Sequence, residues 1–570
     1  MRASDHLAER LAAQGVEHVF EVAGGTITHL LDALHRRGAP RLISMRHEQA
    51  AAFAAEGTAR IRGVPGVAMA TSGPGATNLL TGVASCHYDS VPAVFLCGQV
   101  STSELRGTRP VRQQSFQATD VVAMAETIAK AAWRVDAAGT LPERLADAFA
   151  LALSGRPGPV LLDVPMDLQG ADVGDGVPLA VAGVPAGGPD PEALERVLAD
   201  LRAASRPLIL VGGGVRTAGA ADDLRRFVAA AGVPVVHSLM GVDALAAEDP
   251  LRVGMIGTYG NRWANIAVSR ADVLLVLGSR LDIRQTGADV TSFAGTRTIH
   301  QVDCDPAEVN NRVTGCHALI GDLGSFLRAA ADAVEEHPAA GAWRDELAAL
   351  RARWPDVGEL AGAAGINPNE LMHALSRAGE QATAYVTDVG QHQMWAAQSL
   401  RVGGDQRFVS AGGMGAMGFG LPAAIGVALA TRGPVVVVAG DGGFQLNLQE
   451  LQTVAETGLP LKMVVLDNGC HGMVRQFQES YFDGRYPSTR WGYSAPDLAR
   501  VAAAFDIPSS TVAQPSEVDA GLDALWRDPA RPHLLRVLID GDTNAYPKLA
   551  FGHPITEMEP LAKPIPLRGA

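Results

Sequence analysis

At 570 residues, with 47% apolar and 19% charged side chains, the chain has core material for three or four globular domains. A formal charge of −14, with four lysines against 43 arginines, leaves no net basic field, which excludes nucleic acid as an expected partner. No apolar run approaches the ~18 residues of a spanning helix, so no membrane partner is expected.

In chain order, residues 1–14 read as an amphipathic helix containing acids, unlike a signal peptide. The five cysteines (Cys86, Cys97, Cys304, Cys316, Cys470) show no metal-ligand spacing and no disulfide framework, so a cytoplasmic protein is expected. Gly24 and Gly25 precede a helix. The apolar run at 42–44 leads into Arg46, His47, Glu48 and Gln49, which open an alanine-rich helix and put Glu48 at a strand-to-helix edge. Taken alone, such a glutamate is usually a surface residue favoured by the helix dipole. Gly73, Pro74, Gly75, Ala76, Thr77 and Asn78 form another glycine-rich turn after the strand VAMAT, and turns of this kind along one sheet edge leave room for a flat ring. Ten of the 22 residues from 170 to 191 are Gly or Pro, which reads as a linker. The resulting division is 1–170, a linker at 171–191, a central domain at 192–336, a second linker at 337–367, and 368–570. Each portion alternates apolar runs with helical patterns, giving an α/β chain of three doubly wound parallel-sheet domains, of which the first and third could share a topology.

The C-terminal portion carries the densest signal. The run PVVVVA at 434–439 reads as a strand buried on both faces and ends in Gly440, Asp441 and Gly442. Leu446, Leu448, Leu451, Val454 and Ala455 then follow helical spacing, with Gly458 and Pro460 as a stop. KMVVL at 462–466 is the next strand and ends in Asp467, Asn468 and Gly469. A right-handed crossover places Asp441 and Asn468 at the carboxyl ends of adjacent parallel strands, where open α/β sheets bind ligands. A carboxylate, an amide oxygen and a main-chain carbonyl, completed by two diphosphate oxygens and water, fill the octahedron that Mg²⁺ prefers.

Together RHEQ, TSGPGATN, FQ before Asp120, VGQHQMWAAQ, GGMGAMGFGLPAAIG, the GDG to Asn468 pair and GMVRQ make the chain resemble the large catalytic subunit of acetolactate synthase over almost its whole length. The resemblance implies thiamine diphosphate (ThDP) and Mg²⁺ bound between the first domain of one subunit and the third of another, hence a homodimer or homotetramer. Asp441, Asn468 and the Cys470 carbonyl would hold the metal. Val389, Gly390, Gln391, His392, Gly440, Gly442, Gly443, Gly472 and Met473, with Gly24 and Gly25, would line the cofactor. Glu48 would bond the N1′ nitrogen of the aminopyrimidine, Met417 would wedge between the two rings, and the Gly415 carbonyl would accept from N4′. The implied substrates are a 2-oxo acid donor, pyruvate, and a carbonyl acceptor, with Gln117 in the pocket. Gly25 stands where related simple decarboxylases carry an acidic or hydroxyl side chain, which favours carbon–carbon bond formation. The central portion resembles the family's flavin domain through Gly213, Gly214, Leu239, Gly257, Gly278, Arg280, Asp282, Asp303 and Asp322, implying a structural FAD, although Glu126 replaces the usual arginine facing the flavin.

Three departures bear on the acceptor. Phe477 replaces a tryptophan of the acceptor pocket, Asp467 replaces the first of two asparagines, and the loop from 99 to 116 is long and carries Arg106, Arg109 and Arg112. Guanidinium forks suit carboxylate or phosphate. A larger ketone such as a nucleotide-linked ketosugar is therefore one alternative acceptor. Other readings are a simple decarboxylase, an acyl-CoA lyase, and a non-catalytic cofactor-binding subunit.

Overall fold

The computed structural model describes residues 1–173, 188–338 and 340–566, so most of the expected linker at 171–191 lies outside the described residues. The short β-branched runs form three six-stranded, all-parallel sheets. The first contains β1 (His18–Glu21), β2 (Arg41–Ser44), β3 (Gly66–Ala70), β4 (Ala93–Gln99), β5 (Ala131–Arg134) and β6 (Pro159–Pro165), in the order β2-β1-β3-β4-β6-β5. The second contains β7 (Pro207–Val211), β8 (Val235–His237), β9 (Arg252–Met255), β10 (Val273–Leu277), β11 (Thr298–Asp303) and β12 (His317–Ile320). Its order, β12-β11-β10-β7-β8-β9, reverses direction between β7 and β10. The third holds β13 (Ala384–Thr387), β14 (Arg407–Ser410), β15 (Val435–Gly440), β16 (Leu461–Asp467), β17 (Ser509–Val512) and β18 (His533–Leu538). Its order, β14-β13-β15-β16-β18-β17, repeats that of the first sheet strand for strand. In both, the order reverses between the first and third strands, and that is where such sheets bind ligands.

The first and third domains share one hydrophobic core. Helices Glu48–Arg62 and Gly420–Thr431 cross there at backbone distance: a Cβ on Gly57 would lie 2.3 Å from the Ala423 carbonyl oxygen, and one on Gly426 would lie 1.9 Å from that of Ala54. The Thr58 hydroxyl donates to the Gly426 carbonyl at 3.2 Å, and Phe53 meets Phe419 edge-on at 5.4 Å. Because both close approaches are to backbone, neither can yield. Gly57→Ala is expected to destabilise the protein by about 1–3 kcal/mol, read as a fall in the urea midpoint at unchanged slope.

Two segments depart from the simplest reading of their sequence. The helix expected after Asp441 is broken into Asp441–Phe444, a 3₁₀ stretch Gln445–Glu450 and Leu451–Thr457. At the break Asn447 has φ −129°, and its side-chain amide donates to the Gly418 carbonyl at 2.8 Å, a bond that draws the chain off the helical path. The stretch 337–367 carries a helix, Ala340–Arg353, whose Trp343, Leu347 and Leu350 pack into the core of the central domain. No helix among the described residues is long and apolar enough to cross a membrane.

Candidate active site

Strands β13, β15 and β16 deliver three polar turns to one edge of the third sheet. Gly440 pairs with Leu466 across β15 and β16, so Asp441 and Asp467 begin adjacent turns. Asp441 is buried and, among the described residues, no cationic side chain pairs with it; its Oδ2 accepts from the Tyr493 hydroxyl at 2.7 Å. Burial pushes its carboxyl up to about 6, with the Tyr493 bond opposing the rise and Asp467 adding to it. A carboxylate held this way is a place short of positive charge. Asp467 is already neutralised, by Arg536 at 2.7 Å. Asn468 donates to Gln391 Oε1 at 3.2 Å, and its own Oδ1 accepts from the Cys470 amide at 3.2 Å. The Cys470 carbonyl faces the Gly472 amide at 3.0 Å, while burial pushes the Cys470 thiol up to about 11, which removes it as a nucleophile. Gly472 admits Gln391 and Asn468 together: a Cβ there would sit 1.9 Å from Gln391 Oε1 and 2.7 Å from the Asn468 amide.

Helix Gln391–Ser399 opens beside this cluster, and its second residue supplies an unsatisfied group. Among the described residues His392 Nε2 is buried without a hydrogen-bond partner, and burial lowers the imidazole to about 4. A phosphate oxygen at that nitrogen would raise it again and be met by an N–H. One orphaned buried nitrogen, one carboxylate without a cation and one amide oxygen on a single edge fit a divalent cation with a diphosphate.

Asp388, which precedes this helix and was not singled out by motif reading, is a buried carboxylate accepting three backbone amides. These are Val389 at 2.7 Å, Gly418 at 3.0 Å and Gly420 at 2.8 Å. It fixes the end of the loop that carries Gly415, with φ +65°, and the half-buried Met417. An acid between a strand and a glycine was the available signal. Met414 on that loop and Leu446 beside its Gly418 are exposed apolar residues.

The first domain holds a second cluster at its own reversal point. Glu48 opens its helix, with His47 as N-cap, and lies buried; its Oε2 accepts from Asn78 at 2.8 Å. A Cβ on Gly75 would lie 3.2 Å from Glu48 Oε1. Gly24 packs against Thr71, whereas a Cβ on Gly25 would meet nothing within 4 Å. Gln117 is held at φ +62° against Gly73. Each of the two domains thus carries one half-site: Glu48 bonds Asn78 in the first, while its neighbours Arg46 and Gln49 reach Glu450 and Asn447 of the third.

Three family profiles match the chain in register with these domains: the thiamine pyrophosphate enzyme N-terminal TPP-binding domain at 1–124, its central domain at 194–330 and its C-terminal TPP-binding domain at 388–537. The chain is 40% identical over 560 residues to the acetolactate synthase isozyme 2 large subunit of Escherichia coli K12, covering 98% of this chain and 99% of that one. It is 38% identical to the acetolactate synthase large subunit of Parasynechococcus marenigrum (97% and 90% covered) and 36% identical to the chloroplastic acetolactate synthase of Arabidopsis thaliana (97% and 83%). The chain belongs to the acetolactate synthase large-subunit family of thiamine pyrophosphate enzymes.

In this acetolactate synthase-family chain the central sheet reverses at β7 and β10, where Gly214 N–H donates to the Gly278 carbonyl at 3.0 Å and the two backbones touch. Gly213 follows β7, Leu239 follows β8, Gly257 follows β9 and Asp303 ends β11 along the same edge, an arrangement with the strand order of dinucleotide-binding sheets. Asp282 and Asp322 are occupied as helix N-caps, and Arg280 pairs with Asp282 at 3.2 Å. Burial raises the Asp303 carboxyl, which accepts from the Asp305 amide. Phe477 lies on helix Gly472–Tyr481, packed on Tyr481 with ring centres 4.7 Å apart. Arg106, Arg109 and Arg112 are exposed. Arg106 and Arg109 bond only carbonyls of their own loop, and among the described residues no carboxylate neutralises any of the three.

Proposed function

We propose that the chain is a ThDP- and Mg²⁺-dependent carboligase, which decarboxylates pyruvate and transfers the acetyl unit to a carbonyl acceptor in the manner of acetolactate synthase. The observation that carries this reading is the shared edge of Asp441, Asn468 and the orphaned His392 Nε2. Asp441, Asn468 and the Cys470 carbonyl would hold Mg²⁺, with His392 and Gln391 at the diphosphate. ThDP, when bound, supplies the carbon acid and the electron sink for loss of CO₂. Glu48 keeps Oε1 free while Asn78 occupies Oε2, so Oε1 would share a proton with the ring nitrogen N1′. Met417 offers an apolar wedge and the Gly415 carbonyl an acceptor. Gly25 itself offers no proton donor, and among the described residues nothing lies within 4 Å of where its Cβ would be, which favours attack on a second carbonyl over release of aldehyde. A non-catalytic subunit has no use for Glu48, Asp441 and Asn468 together.

We infer, as membership of this family implies, a homodimer or homotetramer in which Glu48 of one subunit faces Asp441 and Asn468 of another. FAD would lie along the central strand ends at Gly213, Leu239, Gly257, Gly278 and Asp303, and would show as a flavin absorbance band released on denaturation. The free thiols fit a cytoplasmic enzyme. Purified protein given ThDP, Mg²⁺ and pyruvate is expected to yield acetolactate and CO₂; aldehyde as the sole organic product contradicts the reading.

The unneutralised arginines support a second acceptor reading, an anionic or nucleotide-linked ketone. Arg109→Ala with Arg112→Ala is expected to raise KM for that acceptor roughly tenfold and leave pyruvate decarboxylation alone. Unchanged acceptor kinetics returns the loop to a solvated surface role.

A further inference from the structure

The loop that carries Gly415 and Met417 begins at Gly412 and Gly413, both exposed, and its start is held by a carboxylate from another domain. Asp89 caps helix Pro74–Tyr88. Its Oδ1 accepts from the Gly413 amide at 2.6 Å and its Oδ2 from the Gly412 amide at 3.0 Å, across more than 300 residues of sequence. Among the described residues no other hydrogen bond reaches residues 412–415. The side chain of Asp89 is 3% exposed, and Arg60 donates to its Oδ2 at 2.7 Å. Arg60 is itself fixed by the fully buried Glu56, through Nε at 3.1 Å and Nη2 at 2.6 Å. Its backbone carbonyl accepts from Arg407, at the start of β14, at 3.0 Å. The glycine pair is shaped to this clasp: a Cβ on Gly413 would lie 2.9 Å from Asp89 Oδ1 and 2.8 Å from Tyr88 Cβ, and one on Gly412 would lie 2.6 Å from Met240 Sδ. With Asp388 on the amides of Gly418 and Gly420, the loop is gripped at both ends by buried carboxylates, one from each half-site domain.

We propose that Asp89 is a positioning residue for the thiamine reaction: by clasping Gly412 and Gly413 it sets the height of the loop that presents Gly415 and Met417, with Arg60 holding its carboxylate in place. This role rests on the proposed function, in which that loop meets the thiamine rings. Displacement of a positioning element by about 1 Å costs roughly 10²-fold in rate. The diphosphate end, held by Asp441, Asn468 and His392, lies on other turns and is untouched by this clasp.

The test uses the full chain in two forms. In the cofactor-free protein, Asp89→Ala is expected to speed amide hydrogen exchange over residues 411–417 roughly tenfold or more. In the loaded protein the same change is expected to slow exchange of the thiamine C2 proton roughly 10²-fold, with Mg²⁺ and ThDP affinities held within about threefold. Asp89→Asn, which keeps the shape and one acceptor oxygen, should fall between, and it decides the matter should the alanine variant not fold. A loosened loop with normal C2 exchange makes Asp89 a mere fold contact and overturns the proposal, as does a loop that stays protected in both variants. Glu48→Gln run in parallel separates the two levels: normal C2 exchange in that variant contradicts the thiamine reading itself.

Discussion

Glu48→Gln slows exchange of the thiamine C2 proton by roughly 10²- to 10⁴-fold while ThDP and Mg²⁺ remain bound, as hydrogen-exchange NMR and calorimetry can show separately. The substitution keeps volume and burial. Asn78 fills one carboxylate oxygen at 2.8 Å, so the glutamine can turn its carbonyl to that donor and present only its NH₂ to the ring nitrogen. An NH₂ group cannot exchange a proton with N1′ as a carboxyl does, and the amino group at N4′ is then never set up as a base. Because the proposed metal ligands Asp441 and Asn468 sit on another domain, affinity for the cofactor tail should not follow the rate down.

Asp441→Asn gives the second large effect, in the opposite pattern. Loss of an outer hydrogen-bond partner of a metal ligand typically costs 10- to 100-fold in affinity, roughly what Tyr493→Phe should produce through Asp441 Oδ2. Removing the ligand charge itself is expected to exceed that and to carry ThDP away with the metal. The cofactor-free fold should respond with the other sign. The buried Asp441 carboxyl is raised to about 6, so at neutral pH its charge destabilises the folded state. The asparagine variant is therefore expected to melt at the same temperature as the parent, or higher, without cofactor, and to gain far less when ThDP and Mg²⁺ are added.

What sequence reading could reach was set by how local the cause is. Asp441 and Asn468 stood out because a metal with a diphosphate needs those residue types at the ends of neighbouring strands, and the strands themselves are unbroken apolar runs. The matching strand orders of the first and third sheets could only be suspected, since pairing is decided by residues far apart in the chain. Asn447 breaks an otherwise helical spacing because its partner is the Gly418 carbonyl, 29 positions away. Asp89 gave no signal at all: a lone acid after a helix means little until Gly412 and Gly413 arrive from more than 300 residues downstream. The stretch 337–367 read as a junction because alanines spread around its helix blur the apolar face, and only the central core reveals what Trp343 and Leu347 cover.

The proposed division of one site between two subunits can be tested by complementation. Glu48→Gln and Asp441→Asn chains, each nearly inactive alone, are co-expressed and the mixed oligomers assayed for acetolactate formation. In a two-fold dimer the mixed species has one site bearing both defects and one bearing neither, so random assembly should restore about a quarter of parent activity. A mixture as inactive as its parents would mean that Glu48 and Asp441 of the same chain serve the same site, which contradicts a site shared across the subunit interface.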